Sequence, residues 1–186
     1  MQKLMAFNSV TLDGYFTGPN GDLSWAHKDD PEWREFTAGN AGGNGTLLFG
    51  RVTYEMMASF WPTPQAKQQF PKVADGMNRH SKVVFSRTLD KVSWSNTRLV
   101  KTDLAGEVRR MKLQDGPGIV ILGSGTIIAQ LTQEGLIDEY QVVVSPIVIG
   151  KGRTMFEGVK RNVNLKLTNE RRFGNGNVLL TYEASE

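Results

Sequence analysis

The sequence contains no cysteine. A disulfide framework, a thiolate zinc site and a cysteine nucleophile are therefore excluded, and a reducing, cytoplasmic setting is expected. Histidine is scarce, with only His27 and His80. Without thiols the zinc motif of a nucleotide deaminase is missing, no metal site is expected, and both histidines read as surface residues. No apolar run approaches the ~20 residues of a membrane-spanning helix. The opening MQKLMAFNSV reaches Asn8 and Ser9 too soon for the core of a signal peptide, so no membrane partner is expected. Charge of one sign is also lacking: 22 basic against 19 acidic residues leave +3. That small, dispersed excess favours an anionic small ligand. It argues against nucleic acid, which calls for a basic stripe, and RRMK at 109–112 reads as a solvated helix face. The GxGxxG dinucleotide fingerprint is absent too, which argues against an ordinary Rossmann dehydrogenase.

What is present reads as globular. The chain has 186 residues, 39% apolar and 22% charged, enough for one domain over 1–186 that buries roughly 70% of its unfolded surface. Residues 3–10 read as a first strand, with Leu4, Ala6 and Asn8 on one face. A long loop follows, TLDGYFTGPNGDLSW, with turn signals at Asp13-Gly14 and Pro19-Asn20-Gly21; a loop this long in a compact domain is usually functional or disordered. Asp30-Pro31-Glu32 suits a helix start. Further strands are expected over 46–49, 82–85, 94–100, 119–122 and 139–144, and helices over 53–59, 104–113 and 126–133. Residues 60–80, with Pro62, Pro64 and Pro71, read as irregular. Strands over 165–173 and 178–182 flank Gly174-Asn175-Gly176, a hairpin signal. Apolar strands separated by helices predict an α/β fold: a mostly parallel central sheet, helices on both faces, and a C-terminal antiparallel hairpin.

Three of these strands end in small or polar residues leading onward: TLLFG-R-V-T-Y at 46–54, KVVFS-R-T at 82–88 and IVILG-S-G-T at 119–126. In open α/β sheets ligands bind beyond the carboxyl ends of the strands. A helix starting there offers free amides and a positive dipole end to phosphate. Taken singly, Gly123-Ser124-Gly125 is equally a tight strand-to-helix turn, and Arg51 and Arg87 are equally surface arginines. Taken together, they place two helix N-termini and two arginines along one sheet edge. Arginine binds phosphate with two parallel hydrogen bonds, so the pair favours NADP(H), with its extra phosphate, over NAD.

The ordered segments SVTLDGYFTGPNGDLSW, LLFGRVTYEMM, VVFSRT, IVILGSGTIIAQL and SPIVIGKGRTMFEG together resemble the dihydrofolate-reductase-like superfamily. The chain is most similar to the reductase domain of bifunctional riboflavin-biosynthesis deaminase-reductases and their stand-alone relatives, over about residues 2–183. The Leu12-Asp13-Gly14 step and the stretch from Ile149 to Arg153 point to that branch.

The resemblance implies an NADPH-dependent reductase. Gly50, Arg51 and Thr53 would lie under the cofactor phosphates. Ser86 and Arg87 would hold the 2′-phosphate, and Gly123, Ser124, Gly125 and Thr126 would wrap the pyrophosphate. The loop from Val10 to Trp25 would cover the nicotinamide, with Ala6 below it. Asp13 would face the substrate or the nicotinamide ribose. The expected substrate is a small heterocycle or sugar-linked pyrimidine, as in 5-amino-6-(5-phosphoribosylamino)uracil reductase, and Lys151 and Arg153 either attract a substrate phosphate or are solvated charges.

Two alternatives stand beside this reading. One is dihydrofolate reduction, in which Asp30, five residues after Trp25, would bind the pterin; the competing reading makes Asp30 a helix cap. The other is a non-catalytic NADP-binding or sensor protein. A homodimer is also expected, with residues 140–144 and the terminal hairpin supplying an apolar surface.

Overall fold

The structure, a computed structural model, describes residues 1–26 and 29–185; the reading of His27 falls outside them. The chain runs β1 (Leu4–Thr11), β2 (Tyr15–Thr17), α1 (Pro31–Ala41), β3 (Thr46–Gly50), α2 (Arg51–Phe60), α3 (Pro64–Gln69), α4 (Pro71–Arg79), β4 (Lys82–Phe85), β5 (Thr97–Val100), α5 (Leu104–Leu113), β6 (Ile119–Leu122), α6 (Gly125–Gln133), β7 (Glu139–Ser145), β8 (Arg153–Thr154), β9 (Asn164–Arg172) and β10 (Val178–Ser185). Eight strands form one sheet in the order β5-β4-β3-β6-β1-β7-β10-β9. The first six of that order pair in parallel, and β10 and β9 add an antiparallel edge. The expected α/β architecture is therefore present.

Alternation along the strands splits the core into two faces. Leu48, Val83, Ile119 and Ile121 join α5 and α6 through Val108, Met111, Ile127, Ile128 and Leu131. On the other face Leu47, Phe49 and Val84 meet Tyr54 of α2, Met77 of α4 and Trp94. A third cluster sets Phe7, Val143, Phe173 and Leu179 against Trp33 and Phe36 of α1. Strands buried on both sides must be apolar throughout, which is why the short runs at 46–49, 82–85 and 119–122 carry so little polarity.

Three expectations are corrected. Residues 60–80 are not irregular: Pro64 and Pro71 open two short helices, α3 and α4. Proline suits a first helical position, because amides there have no partner within the helix in any case. His80 is not on the surface; it is 6% exposed, with Nδ1 2.6 Å from the Gly76 carbonyl, because it leads from α4 into the buried β4. The loop after β1 is partly ordered, since β2 pairs with β8 in a small ribbon. Within the sheet β7 is hydrogen-bonded to β1 and β10 on its two sides. The sheet ends in β5 on one side and in β9 on the other, where Leu165 and Leu167 alternate with charged and polar neighbours. Among the described residues no helix is long and apolar enough to cross a membrane.

Candidate functional site

The sheet brings the three strand ends level with one another. Gly50 stands opposite Phe85 of β4, Leu48 opposite Ile121, and Phe7 opposite Leu122. The residues that follow, Ser86, Arg51 and Gly123, thus emerge along a single edge, with β1 running past on the far side. The Gly123 amide donates to the Phe7 carbonyl at 3.1 Å, so the turn after β6 is pinned to β1.

That turn is tight. Gly123 has φ +67°, and Ser124 also lies in the left-handed region at φ 47°, ψ 53°. A side chain there is strained by roughly 1–2 kcal/mol. Ser124 is held by three contacts. Its hydroxyl accepts from the Gly50 amide at 3.0 Å and donates to the Leu122 carbonyl at 3.3 Å, and its own amide donates to Thr53 Oγ1 at 3.2 Å. Gly50, Thr53, Gly123 and Ser124 therefore form one linked unit between the starts of α2 and α6.

The helix starts differ in how they are satisfied. Asp30, Thr63 and Asp103 cap α1, α3 and α5 with their side chains. No side chain caps α2 or α6; the third uncapped helix, α4, begins at Pro71, which has no amide proton to satisfy. Free amides at a helix start, together with the positive dipole end, favour an anion.

A groove of about 640 Å³ opens beside α6, lined among others by Arg87, Asp103, Gly125, Thr126, Gln130 and Arg153. It brings together Arg87 from the end of β4, the first residues of α6, and Arg153 of β8. Arg153 donates to Thr126 Oγ1 at 3.3 Å and lies 5.7 Å over the Phe16 ring. Phe16 in turn packs on Gly125: a Cβ there would stand 2.6 Å from its ring carbons. The β2–β8 ribbon is thereby seated on the start of α6.

Other expected site residues do not line this groove. Arg51 pairs with Glu55 one turn on, at 2.9 Å. The Ser86 hydroxyl accepts from the amides of Thr88 and Leu89, shaping the turn that carries Arg87. Ala6 is 2% exposed within the core, and Val10 is also buried, on β1 opposite Val144. Asp13 accepts from the amides of Ile149 and Gly150, joining the loop after β1 to the segment before β8. Its carboxyl is held below the usual range, first by the Thr11 hydroxyl and also by these amides. Asp30 accepts from the Trp33 amide at 2.8 Å, the geometry of a helix cap. The Lys151 side chain lies in the exposed turn before β8.

Sequence reasoning gave no site role to Asn8, and gave Phe16 and Trp25 one only as parts of the covering loop. Among the described residues, Asn8 Nδ2 and Trp25 Nε1 are buried donors with no hydrogen-bond partner. A polar Asn8 on the apolar face of β1 was the available signal for the first.

A mostly parallel sheet with two uncapped helix starts, and a groove at its carboxyl edge that carries Arg87 and Arg153 beside Asp103, Glu134 and Glu157, define a ligand-binding α/β fold. The chain belongs to the RibD C-terminal domain family, whose profile matches residues 2–179, and this membership supports a reductase role. It is 29% identical over 175 residues to the uncharacterized protein YyaP of Bacillus subtilis (strain 168), covering 94% of this chain and 90% of that one. A solved protein from Shewanella sp. PV-4, named for riboflavin biosynthesis, superposes with TM-score 0.75 at 22% identity, over the full length of both chains. The diaminohydroxyphosphoribosylaminopyrimidine deaminase/5-amino-6-(5-phosphoribosylamino)uracil reductase of Thermotoga maritima superposes with TM-score 0.68 at 14% identity, over 99% of this chain and 57% of the other.

Proposed function

We propose that the protein is an NADPH-dependent reductase that transfers hydride to a small heterocyclic or sugar-linked pyrimidine substrate, as 5-amino-6-(5-phosphoribosylamino)uracil reductases do. The observation that carries this is the meeting of Arg87, Gly125, Thr126 and Arg153 around one groove, beside two helix starts that no side chain caps. A dinucleotide phosphate needs that combination of cations and free amides.

In this reading Gly123 to Thr126 hold the pyrophosphate, and Gly50, Arg51 and Thr53 support it from α2. Arg87 faces the 2′-phosphate, with Ser86 setting the turn. Ala6 and Val10 form the floor under the nicotinamide. A bound NADPH would supply the hydride that reduces a C=O or C=N carbon of the substrate, with a proton from solvent completing the reduction. The protein orients the reactants and excludes water, with the β2–β8 ribbon as the cover.

A thermal-shift titration with NADPH and NADH tests this. A ligand that binds only the native state at ~100 times its Kd stabilises by roughly 2.7 kcal/mol. A shift with NADPH, smaller with NADH and lost in Arg87→Ala, is expected. No shift with either cofactor overturns the reading.

A second reading has an observation of its own. The Asp13 carboxylate is engaged by two backbone amides, which favours a bracing role over a contact with substrate. An NADP-binding protein without turnover is consistent with that. Slow NADPH oxidation that no pyrimidine or pterin substrate accelerates would select it. The expected homodimer would have to use a surface other than the two paired edges of β7, and a monomeric mass in light scattering would remove it.

A further inference from the structure

We infer that Asn8 is a cofactor-contact residue whose side-chain amide donates a hydrogen bond to the carboxamide oxygen of the nicotinamide. This rests on the NADPH reading above and extends it to a residue that the strand-end motifs do not include.

The orientation of the Asn8 side chain is fixed by its neighbour. The Ser9 amide donates to Asn8 Oδ1 at 2.9 Å, so the oxygen is the partnered end. Nδ2 is the other end, and it has no partner among the described residues. Asn8 is only 8% exposed. A buried donor without an acceptor costs roughly 1–3 kcal/mol. Native structures seldom carry such a group without a reason, and a ligand that supplies the acceptor is one such reason.

Its place in the sheet says which ligand atom. Arg87 follows β4, the Gly123 turn follows β6, and β1 lies on the side of β6 away from β4. Neighbouring strands are ~4.8 Å apart. A dinucleotide with its 2′-phosphate at Arg87 and its pyrophosphate at Gly123 therefore extends its other half across β1. Asn8 is the β1 residue after Phe7, which pairs with Leu122, so it stands level with Gly123. By strand alternation its side chain shares a face with Ala6 and Val10. Phe16 packs against the cluster on that face and against Gly125. The nicotinamide carboxamide is the hydrogen-bonding group of that half of the cofactor, apart from its ribose, and its oxygen is the acceptor Nδ2 lacks.

The test compares NADPH with 2′,5′-ADP, which keeps the phosphate end and lacks the nicotinamide, in wild type, Asn8→Leu and Asn8→Asp. Leucine is of similar size and removes the orphan donor. Aspartate keeps the acceptor for Ser9 and removes only the donor. The expected result is NADPH binding weakened roughly tenfold in both variants with 2′,5′-ADP binding unchanged. Unchanged NADPH binding overturns the inference. So does equal weakening of both ligands, since that marks a structural role. If wild type binds 2′,5′-ADP and NADPH alike, only the Asn8 contact fails; if it binds neither, the NADPH reading fails first and this inference with it.

Discussion

The Ser124 hydroxyl accepts the Gly50 amide across 3.0 Å, joining the turn after β6 to the start of α2. The same residue holds a left-handed backbone at φ 47°. Ser124→Ala keeps that strain and leaves a partly buried amide without its acceptor, at a cost of roughly 1–3 kcal/mol. Ser124→Gly loses the same hydroxyl but relieves about 1 kcal/mol of strain. Melting temperatures are therefore expected in the order alanine, glycine, wild type, from lowest to highest. An alanine variant as stable as wild type would remove the structural role of this bond.

Gly125 and Phe16 are coupled by contact. A Cβ at Gly125 meets the Phe16 ring at 2.6 Å, so Gly125→Ala should destabilise by about 1–3 kcal/mol through overpacking. In a Phe16→Leu background the penalty should largely disappear. A double-mutant cycle reads this directly, and additive effects would show that the ribbon is not seated on α6.

Asp30 is spent on the Trp33 amide. Asp30→Ala should lower stability by about 1 kcal/mol, a fall of roughly 2–4 °C for a chain of this length. Turnover at a temperature where the variant stays folded should be retained. A collapse of activity without a loss of stability would instead restore the pterin-binding alternative.

Lys82 is 1% exposed, donates to the carbonyls of Met77 at 2.9 Å and His80 at 2.6 Å, and sits 4.5 Å over the Trp94 ring. Burial lowers its ammonium from 10.5 to about 8. Between those two values the unfolded chain holds a proton that the native state has released, so stability rises with pH there. Below about pH 8 both states are protonated and the site adds no slope. Relative to Lys82→Met, wild type should gain a few degrees in melting temperature between pH 8 and pH 10.5. A constant difference would mean that the helix-end carbonyls keep the ammonium charged throughout.

Much of the architecture was legible beforehand. The short, largely apolar runs at 46–49, 82–85 and 119–122, too short for helices, announced buried strands. The hairpin followed from Gly174-Asn175-Gly176. The stretch 60–80 was misread because proline was taken as a breaker, whereas at Pro64 and Pro71 it opens helices. His80 was misread because its burial depends on what α4 and β4 pack against.

The site divides in the same way. Local sequence determined which strand ends carry glycine, serine and arginine, and a glycine at 123 suits the left-handed backbone of that turn, whereas Ser124 is held in it by contacts from Gly50 and Thr53. Only the tertiary structure decided which of these residues meet. The order β4-β3-β6-β1 aligns strands far apart in the chain. That alignment puts Arg87 and Arg153 on one groove, leaves Arg51 to its neighbour Glu55, and turns Asp13 toward Ile149 and Gly150. It also places Asn8 beside Gly123 with a donor unsatisfied. A hydrogen bond that is missing belongs to an arrangement of atoms in space, so periodicity and composition could mark Asn8 as unusual but not as unpaired.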